Sequence, residues 1–271
     1  MPSPNPRLEV LIAAMNLRSE EQLPPVARQI LAQGCPGLII NQAKGPTDFE
    51  SPSKNLRILN FPEAGISKSR NRALEHARGD LLLLTDEDVE LLGDFTATIE
   101  EAFAKNPEAD VITFQCLNQQ GRQRKAYSKK TFRHNLRTLM RVSSVEVALR
   151  RSSLEKNPVY FDERFGLGSQ IPTGSETVFL SDALAKGYQI QYHPAAIVRH
   201  PEDSSGRALF RNEALLEAKG AMFYRVFGWK AYGICLYFAL KKRKETGSSL
   251  SKSLGHMYRG IKRYKGFDHD R

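Results

Sequence analysis

Four consecutive leucines, at positions 81–84, stand between Asp80 and Thr85. A segment that is apolar at every position, rather than at every second one, is typical of a strand buried on both faces, as in parallel sheets. Sheets of that kind carry helices on both sides. This segment therefore predicts a central strand of an α/β fold at residues 80–85.

The surrounding sequence alternates short apolar runs with amphipathic segments. The runs predict strands at residues 8–14, 38–41, 56–60, 111–115, 142–150, 188–192 and 196–199. The amphipathic segments predict helices within residues 19–33 and at 65–78, 94–105 and 175–186. We expect an α/β fold of Rossmann-like type, with a mostly parallel sheet flanked by helices. Its ligands should bind where the strands end.

The charge and the cysteine content indicate which partners and which cellular compartment to expect. The 271 residues carry 40 basic and 30 acidic side chains, a formal charge of +10 that favours anionic partners. Three widely spaced cysteines build neither a disulfide framework nor a zinc motif, which indicates a reducing compartment. Residues 1–7 lack the apolar core of a secretory signal, so we expect a cytoplasmic protein.

Three acids, Asp86, Glu87 and Asp88, follow the leucine strand directly. Like charges this close are unfavourable unless a cation neutralises them. Mg²⁺ or Mn²⁺ prefers such oxygen ligands and can bridge the phosphates of a nucleotide. A metal site and a solvated acidic turn remain alternatives on these residues alone.

A second motif precedes the leucine strand and begins the predicted helix at 65–78. Gly65 and Ser67 suit a loop that becomes a helix start, where free N–H groups favour an anion. Arg70 and Asn71 in the first turns can reach a phosphate or hold the acidic loop. The alternative is an ordinary capped helix with a surface arginine.

Together these motifs resemble the family 2 glycosyltransferases with the GT-A fold. The stretch GISKSRNRALEHARGDLLLLTDEDVEL is similar to that family's G-x-S-x-x-R-N helix, apolar strand and D-x-D motif. Downstream, FDERFG, a Gly-Ser-Glu helix start and a closing V-x-H resemble its acceptor half. The resemblance covers about residues 8–200. It implies an inverting transfer of a sugar from a nucleotide diphosphate, as in surface polysaccharide synthesis.

The resemblance also implies roles for individual residues. Asp86 and Asp88 take the D-x-D positions, with Asp88 as the more direct ligand of Mn²⁺ or Mg²⁺, and His200 completes the metal site. Glu176 takes the position of the general base that deprotonates the acceptor hydroxyl. This chain has Ser175 where an acid is common, so Asp162 and Glu163 remain substitutes, and His200 and Glu176 have structural alternatives.

The donor nucleotide is less clearly indicated. Met15 and Asn16 take the positions that lie beside the base or ribose in the family. Asn41 and Gln42 stand where many relatives carry an aspartate that binds the base, and their amides both donate and accept. A UDP-sugar is the family's default donor.

The chain is predicted to divide near residue 205. Residues 1–205 form the catalytic domain, with a nucleotide-sugar half at about 8–118 and an acceptor half at 119–205. Residues 206–271 form a basic, aromatic-rich tail that is helical in period over 204–240. Its aromatic residues suit either a core or an anionic membrane surface. The basic cluster at 122–133 suits either a solvated face or an acceptor surface for a glycan or lipid-linked acceptor.

Other functions are compatible with parts of the sequence. A nucleotidyltransferase is disfavoured because no Gly-rich, Lys-bearing loop follows the first predicted strand. A nucleic-acid-binding protein would suit the charge, but no such motif is present and the acidic triad would repel phosphates, so we expect no nucleic acid. A catalytically inactive relative of this family that only binds a glycan is a further alternative.

Overall fold

The computed structural model describes residues 7–45, 49–51, 53–200, 212–243 and 249–267. Within them, nine strands form one sheet: β1 Leu8–Met15, β2 Gly37–Gln42, β3 Leu56–Phe61, β4 Leu81–Asp86, β5 Glu90–Leu91, β6 Val111–Leu117, β7 Phe132–Arg133, β8 Val147–Arg150 and β9 Ile190–Arg199. The helices are α1 Pro25–Ala32, α2 Ile66–His76, α3 Phe95–Lys105, α4 Leu136–Leu139, α5 Arg151–Lys156, α6 Ser175–Ala185, α7 Glu213–Phe227, α8 Ala231–Lys241 and α9 Leu250–Gly266.

The sheet confirms the predicted α/β class. Its order is β3-β2-β1-β4-β8-β6-β9-β5, with β7 beside β9. Strands β1 to β4 are mutually parallel, and the register pairs Ala13 with Asp86 and Met15 with Gln42. The ends of β1, β2 and β4 therefore meet at one edge, as a parallel sheet requires.

The leucine strand serves both faces of the sheet, which explains its composition. Leu81 and Leu83 belong to the core on one side, with α1 and α3. Leu82 and Leu84 belong to the core on the other side, where Phe179 of α6 packs. Because side chains alternate along a strand, a strand between two cores must be apolar throughout.

The acceptor half is less regular than predicted. Only Val147–Arg150 of the strand expected at 142–150 is extended, because Ser144–Glu146 form a 3₁₀ turn. The resulting β8 is antiparallel to both neighbours, β4 and β6. The two strands expected at 188–192 and 196–199 are one strand, β9, whose register against β6 shifts between Thr113 and Cys116.

The tail packs on the acceptor half through a third core. Phe165 and Val178 share this core with Met222 of α7, Cys235 of α8 and Met257 of α9. Of the helix expected at 204–240, residues 204–211 lie outside the described residues, and the remainder is two helices. No helix in the described part of the chain is long and apolar enough for a membrane span.

Close helix crossing in the tail depends on two glycines. A Cβ on Gly220 of α7 would lie 2.0 Å from the carbonyl oxygen of Met257. One on Gly260 of α9 would lie 1.8 Å from the carbonyl oxygen of Glu217. The backbones of α7 and α9 therefore touch at these glycines.

Candidate active site

The turn after β1 lies at the open edge of the sheet. Asn16 has a φ of +57°, a left-handed conformation that asparagine tolerates better than most residues. Its N–H donates to the carbonyl oxygen of Gln42 at 3.0 Å. Met15 is 50% exposed and Asn16 is also exposed. These two predicted nucleotide contacts therefore face solvent beside the acidic loop.

Asn41 and Gln42 are placed differently from their predicted base contact. Asn41 is fully buried. Its Oδ1 accepts from the Leu17 N–H at 2.9 Å, and its Nδ2 donates to the Leu17 carbonyl and to Asn60 Oδ1. Gln42 is also buried and donates to the Gly65 carbonyl at 3.1 Å. The structure gives both amides a positioning role: they fix the turn after β1 and the start of α2.

The start of α2 is covered by the chain itself, which corrects the expectation of an open anion site there. The Ile66 N–H donates to the Leu167 carbonyl at 2.9 Å, and the fully buried Ser67 hydroxyl donates to the Phe165 carbonyl at 2.5 Å. Gly65, with a φ of +122°, makes this approach possible.

Asn71 also joins the two halves of the chain. Its Nδ2 donates to the Phe161 carbonyl at 3.0 Å, and its Oδ1 accepts from the Phe161 N–H at 2.7 Å. Two reciprocal hydrogen bonds hold the 161–168 loop against α2. Asn71 therefore positions this loop, rather than reaching toward the acidic triad.

A chain of hydrogen bonds connects the acidic loop to the start of α6. Arg70, which is buried, donates from Nη2 to Asp86 Oδ1 at 3.0 Å and from Nη1 to Ser175 Oγ at 3.3 Å. Ser175 Oγ in turn donates to Glu176 Oε2 at 2.7 Å. The chain brings together three residues predicted for the site, Arg70, Asp86 and Glu176.

The three acids after β4 point in different directions. Asp86 turns to Arg70, while Glu87 Oε2 accepts from the Met15 N–H at 3.3 Å. Partial burial raises the pKa of the Glu87 carboxyl, and the neighbouring carboxylates raise it further. Asp88 is more exposed, and its Oδ1 lies 3.7 Å from His200 Nε2. Asp88 and His200 are thus brought together as predicted.

The side chains of Asp88 and His200 suit a cation that takes its remaining ligands from a bound substrate and water. Among the described residues, no three His, Cys, Asp or Glu side chains are grouped as a preformed metal site. Mg²⁺-type sites commonly use one or two carboxylates, with substrate phosphates and water as the other ligands. An aspartate beside a histidine fits such a site.

Comparison with known proteins agrees with the predicted fold. The family model described as glycosyl transferase family 2 matches residues 46–158. No curated protein matches the chain. The crystal structure of S. aureus TarS 1-349 is similar, with a TM-score of 0.58 and 14% identity over 96% of this chain and 91% of that one.

The family match contains both the motif at residues 65–71 and the acidic triad, and it supports the predicted family resemblance.

Two ligand complexes of TarS 1-349 also share this fold. The complex with UDP has a TM-score of 0.57 at 14% identity, and the complex with UDP-GlcNAc has 0.54 at 16% identity. Each covers 94% of this chain and 81% of the other. The chain spans 49% of TarS itself. At such identities the likeness shows the fold.

The tail packs beside the helix that carries the predicted base. Gly174, with a φ of +92°, precedes α6, and a Cβ there would lie 2.8 Å from Met222 Cγ of α7. Lys219 stands one turn before Met222. Burial lowers the pKa of its ammonium to about 8, and the charge of Glu176 opposes that shift. Its other contacts are the Met222 sulfur at 3.9 Å and the Phe223 ring.

Lys219 was missed by the sequence reasoning. It lies in the tail, far from Glu176 in sequence, and no motif marks it. The available signal was a single lysine inside the apolar stretch that became α7. Only the packing of α7 on α6 brings its ammonium within reach of the charge of Glu176.

The two substitute bases, Asp162 and Glu163, form hydrogen bonds and ion pairs elsewhere. Asp162 accepts from Arg164 at 2.7 Å and from Arg225 of α7 at 3.0 Å. Although burial opposes ionisation, the hydrogen bonds and charge of these arginines hold the pKa of the Asp162 carboxyl below its usual value. Glu163 accepts from Asn71 Nδ2 at 3.2 Å. Both carboxylates therefore stabilise the loop at 161–168.

The basic cluster at 122–133 contains an internal ion pair and a second, exposed group. Lys125 forms an ion pair with the buried Glu146 at 2.7 Å, so it neutralises a carboxylate inside the acceptor half. The others that remain exposed are Arg122, Lys129, Lys130 and Arg133. This second group is a basic surface beside the sheet.

Proposed function

We propose that this chain is a metal-dependent, inverting glycosyltransferase that uses a nucleotide-diphosphate sugar. The observation that carries the proposal is the hydrogen-bond chain from Asp86 through Arg70 and Ser175 to Glu176. It fixes a carboxylate at a set position relative to the acidic loop. Reactions between two bound molecules gain most from such fixed placement of the reacting groups.

The donor binds at the edge where β1, β2 and β4 end. Met15 and Asn16 lie beside the nucleoside, and Asp88 with His200 would hold Mn²⁺ or Mg²⁺. A bound cation of this kind neutralises charge on a departing diphosphate. UDP-sugars are the donors we propose first, because the UDP and UDP-GlcNAc complexes of TarS share this fold.

Glu176 acts on the acceptor. Its carboxylate takes the proton from an acceptor hydroxyl as that oxygen bonds to the anomeric carbon. The bond from the anomeric carbon to the diphosphate oxygen breaks on the opposite face, so the configuration inverts. Ser175 orients the carboxylate by its hydrogen bond, and Arg70 holds Ser175 in place.

The acceptor we propose is a glycan or a lipid-linked sugar in surface polysaccharide synthesis. The exposed basic surface at Arg122, Lys129, Lys130 and Arg133 suits an acceptor that carries negative charge. We place the protein in the cytoplasm, with a peripheral position on the inner face of the cell membrane.

Turnover of UDP-GlcNAc in the presence of Mn²⁺, measured as released UDP, tests the reaction. Glu176→Gln should bind the donor normally and lose turnover, because an amide does not take the proton. Asp88→Ala should lose cation-assisted donor binding. Glu101→Gln is the matched control, since Glu101 is an exposed residue of α3 paired only with Lys105.

The possible outcomes distinguish an error in the residue roles from an error in the proposed reaction. Full activity in both site variants would refute the residue roles. Absence of turnover in the unaltered protein with UDP-, GDP-, CDP- and dTDP-sugars, each with Mn²⁺ or Mg²⁺, would refute the proposed reaction.

A further inference from the structure

Helix α8 has one buried and one exposed face. Ala231 and Cys235 are buried in the third core, and Ala239 on the same face is buried as well. The other face, together with the turn before the helix, exposes large apolar side chains: Trp229 (77%), Tyr232 (42%), Leu236 (42%), Tyr237 (60%) and Leu240 (53%). The aromatic residues of the tail thus divide, and only some of them build the core.

The exposed side chains form one continuous stripe. Tyr232, Leu236 and Leu240 follow at intervals of four residues in α8, which places them on one side of the helix, and Trp229 lies in the 3₁₀ turn directly before it. Tyr258 of α9 extends the stripe, because its ring lies 5.3 Å from that of Tyr232. Exposed apolar patches of this kind mark sites of contact with a partner or a membrane.

Basic residues surround this stripe. Lys230 precedes α8, Lys241 and Arg243 stand at its end, and all three are exposed. Lys262, one turn after Tyr258 on α9, is exposed as well. The sequence 228–243 contains no aspartate or glutamate. Two copies meeting through this face would bring these cations together, so the charge favours an anionic occupant.

We propose that this surface, the aromatic–basic face of α8, docks on an anionic phospholipid bilayer. The rings and leucines enter the level of the headgroups, while the lysines and Arg243 contact phosphates. Trp and Tyr favour this depth, and basic residues near an anionic surface add binding energy. The inference supplies the surface and the lipid class for the peripheral position proposed above, and it does not depend on the sugar transfer.

Trp229 is the single tryptophan of the chain and lies within the face, so it reports directly on docking. Its emission is measured while the full chain is titrated with vesicles of phosphatidylglycerol and phosphatidylcholine, or of phosphatidylcholine alone. We expect a blue shift with the anionic vesicles that weakens as salt is added. Neutral vesicles should give a much smaller shift.

Substitutions locate the contact. The double variant Leu236→Ser, Tyr237→Ser should weaken partitioning into anionic vesicles by about tenfold, since it removes apolar area from the contact. Lys241→Glu should weaken it through charge alone and serves as a second variant if the double variant unfolds. Tyr160→Ser, an equally exposed tyrosine elsewhere on the surface, is the control and should bind as the unaltered chain does.

Three results would overturn the proposal: no shift with anionic vesicles, equal shifts with neutral and anionic vesicles, or a shift that follows protein concentration and accompanies dimerisation in sedimentation. The assay contains no sugar nucleotide. Failure of docking therefore leaves the transfer proposal intact, and failure of transfer leaves docking intact.

Discussion

Removing the Ser175 hydroxyl tests the link between the two halves of the site. Ser175→Ala deletes the hydrogen bond to Glu176 at 2.7 Å and the one accepted from Arg70 at 3.3 Å. A hydrogen bond to a charged group contributes about 1.5–3 kcal/mol. Because Glu176 is partly exposed, we take the lower end, which corresponds to about a tenfold loss in kcat.

The assay is steady-state release of UDP from UDP-GlcNAc with Mn²⁺ and acceptor. Donor affinity should hardly change, because Arg70 keeps its ion pair with Asp86. Ser181→Ala is the matched control: Ser181 lies in the same helix and its buried hydroxyl donates to the Val178 carbonyl. If the two variants have the same kcat, Ser175 does not orient the base.

Three further predictions concern stability. Lys219→Met should raise the free energy of unfolding at pH 7 by about 1–3 kcal/mol, because a pKa of about 8 means that charging this amine in the fold costs free energy. In urea unfolding the gain should shrink as the pH rises from 8 to about 10.5, and no gain at pH 7 would contradict the prediction. Gly260→Ala should lower the free energy of unfolding by about 1–3 kcal/mol through overpacking against α7. Gly255→Ala in the same helix, with nothing within 4 Å, should raise it, and equal effects would refute the close crossing. Burial lowers the pKa of His134 to about 4, so its ring stays neutral in the fold. The free energy of unfolding should therefore be constant with respect to this group above about pH 6.5 and fall by ~3 kcal/mol toward pH 4. His134→Gln should flatten this pH dependence, and an unchanged slope would contradict the prediction.

Local sequence signals located most of the sheet and its edge. The leucine strand is apolar throughout because it serves two cores, and that requirement is visible in the residues themselves. Helix α3 begins at Phe95, directly after its cap Asp94, whose carboxylate accepts from the Ala97 N–H. Asp88 and His200 were paired through the family resemblance, and the structure places them 3.7 Å apart.

Features set by distant contacts were not predictable in the same way. Antiparallel β8 lies between β4 and β6 through pairings that no local pattern encodes. Asn41 has the donor and acceptor groups of a base-binding residue, but burial of its amide against Leu17 and Asn60 depends on the folded turn. The helical period of the tail predicts helices, but only packing decides that Met222 is buried while Trp229 is exposed.

Titration calorimetry with UDP-GlcNAc, with and without Mn²⁺, tests the central claim most directly. We predict that Mn²⁺ tightens donor binding by about tenfold or more and that Asp88→Asn removes this gain while leaving the cation-free affinity unchanged. The claim is contradicted if the unaltered protein binds the donor with the same affinity with and without Mn²⁺. It is also contradicted if the unaltered protein binds none of the UDP-, GDP-, CDP- and dTDP-sugars.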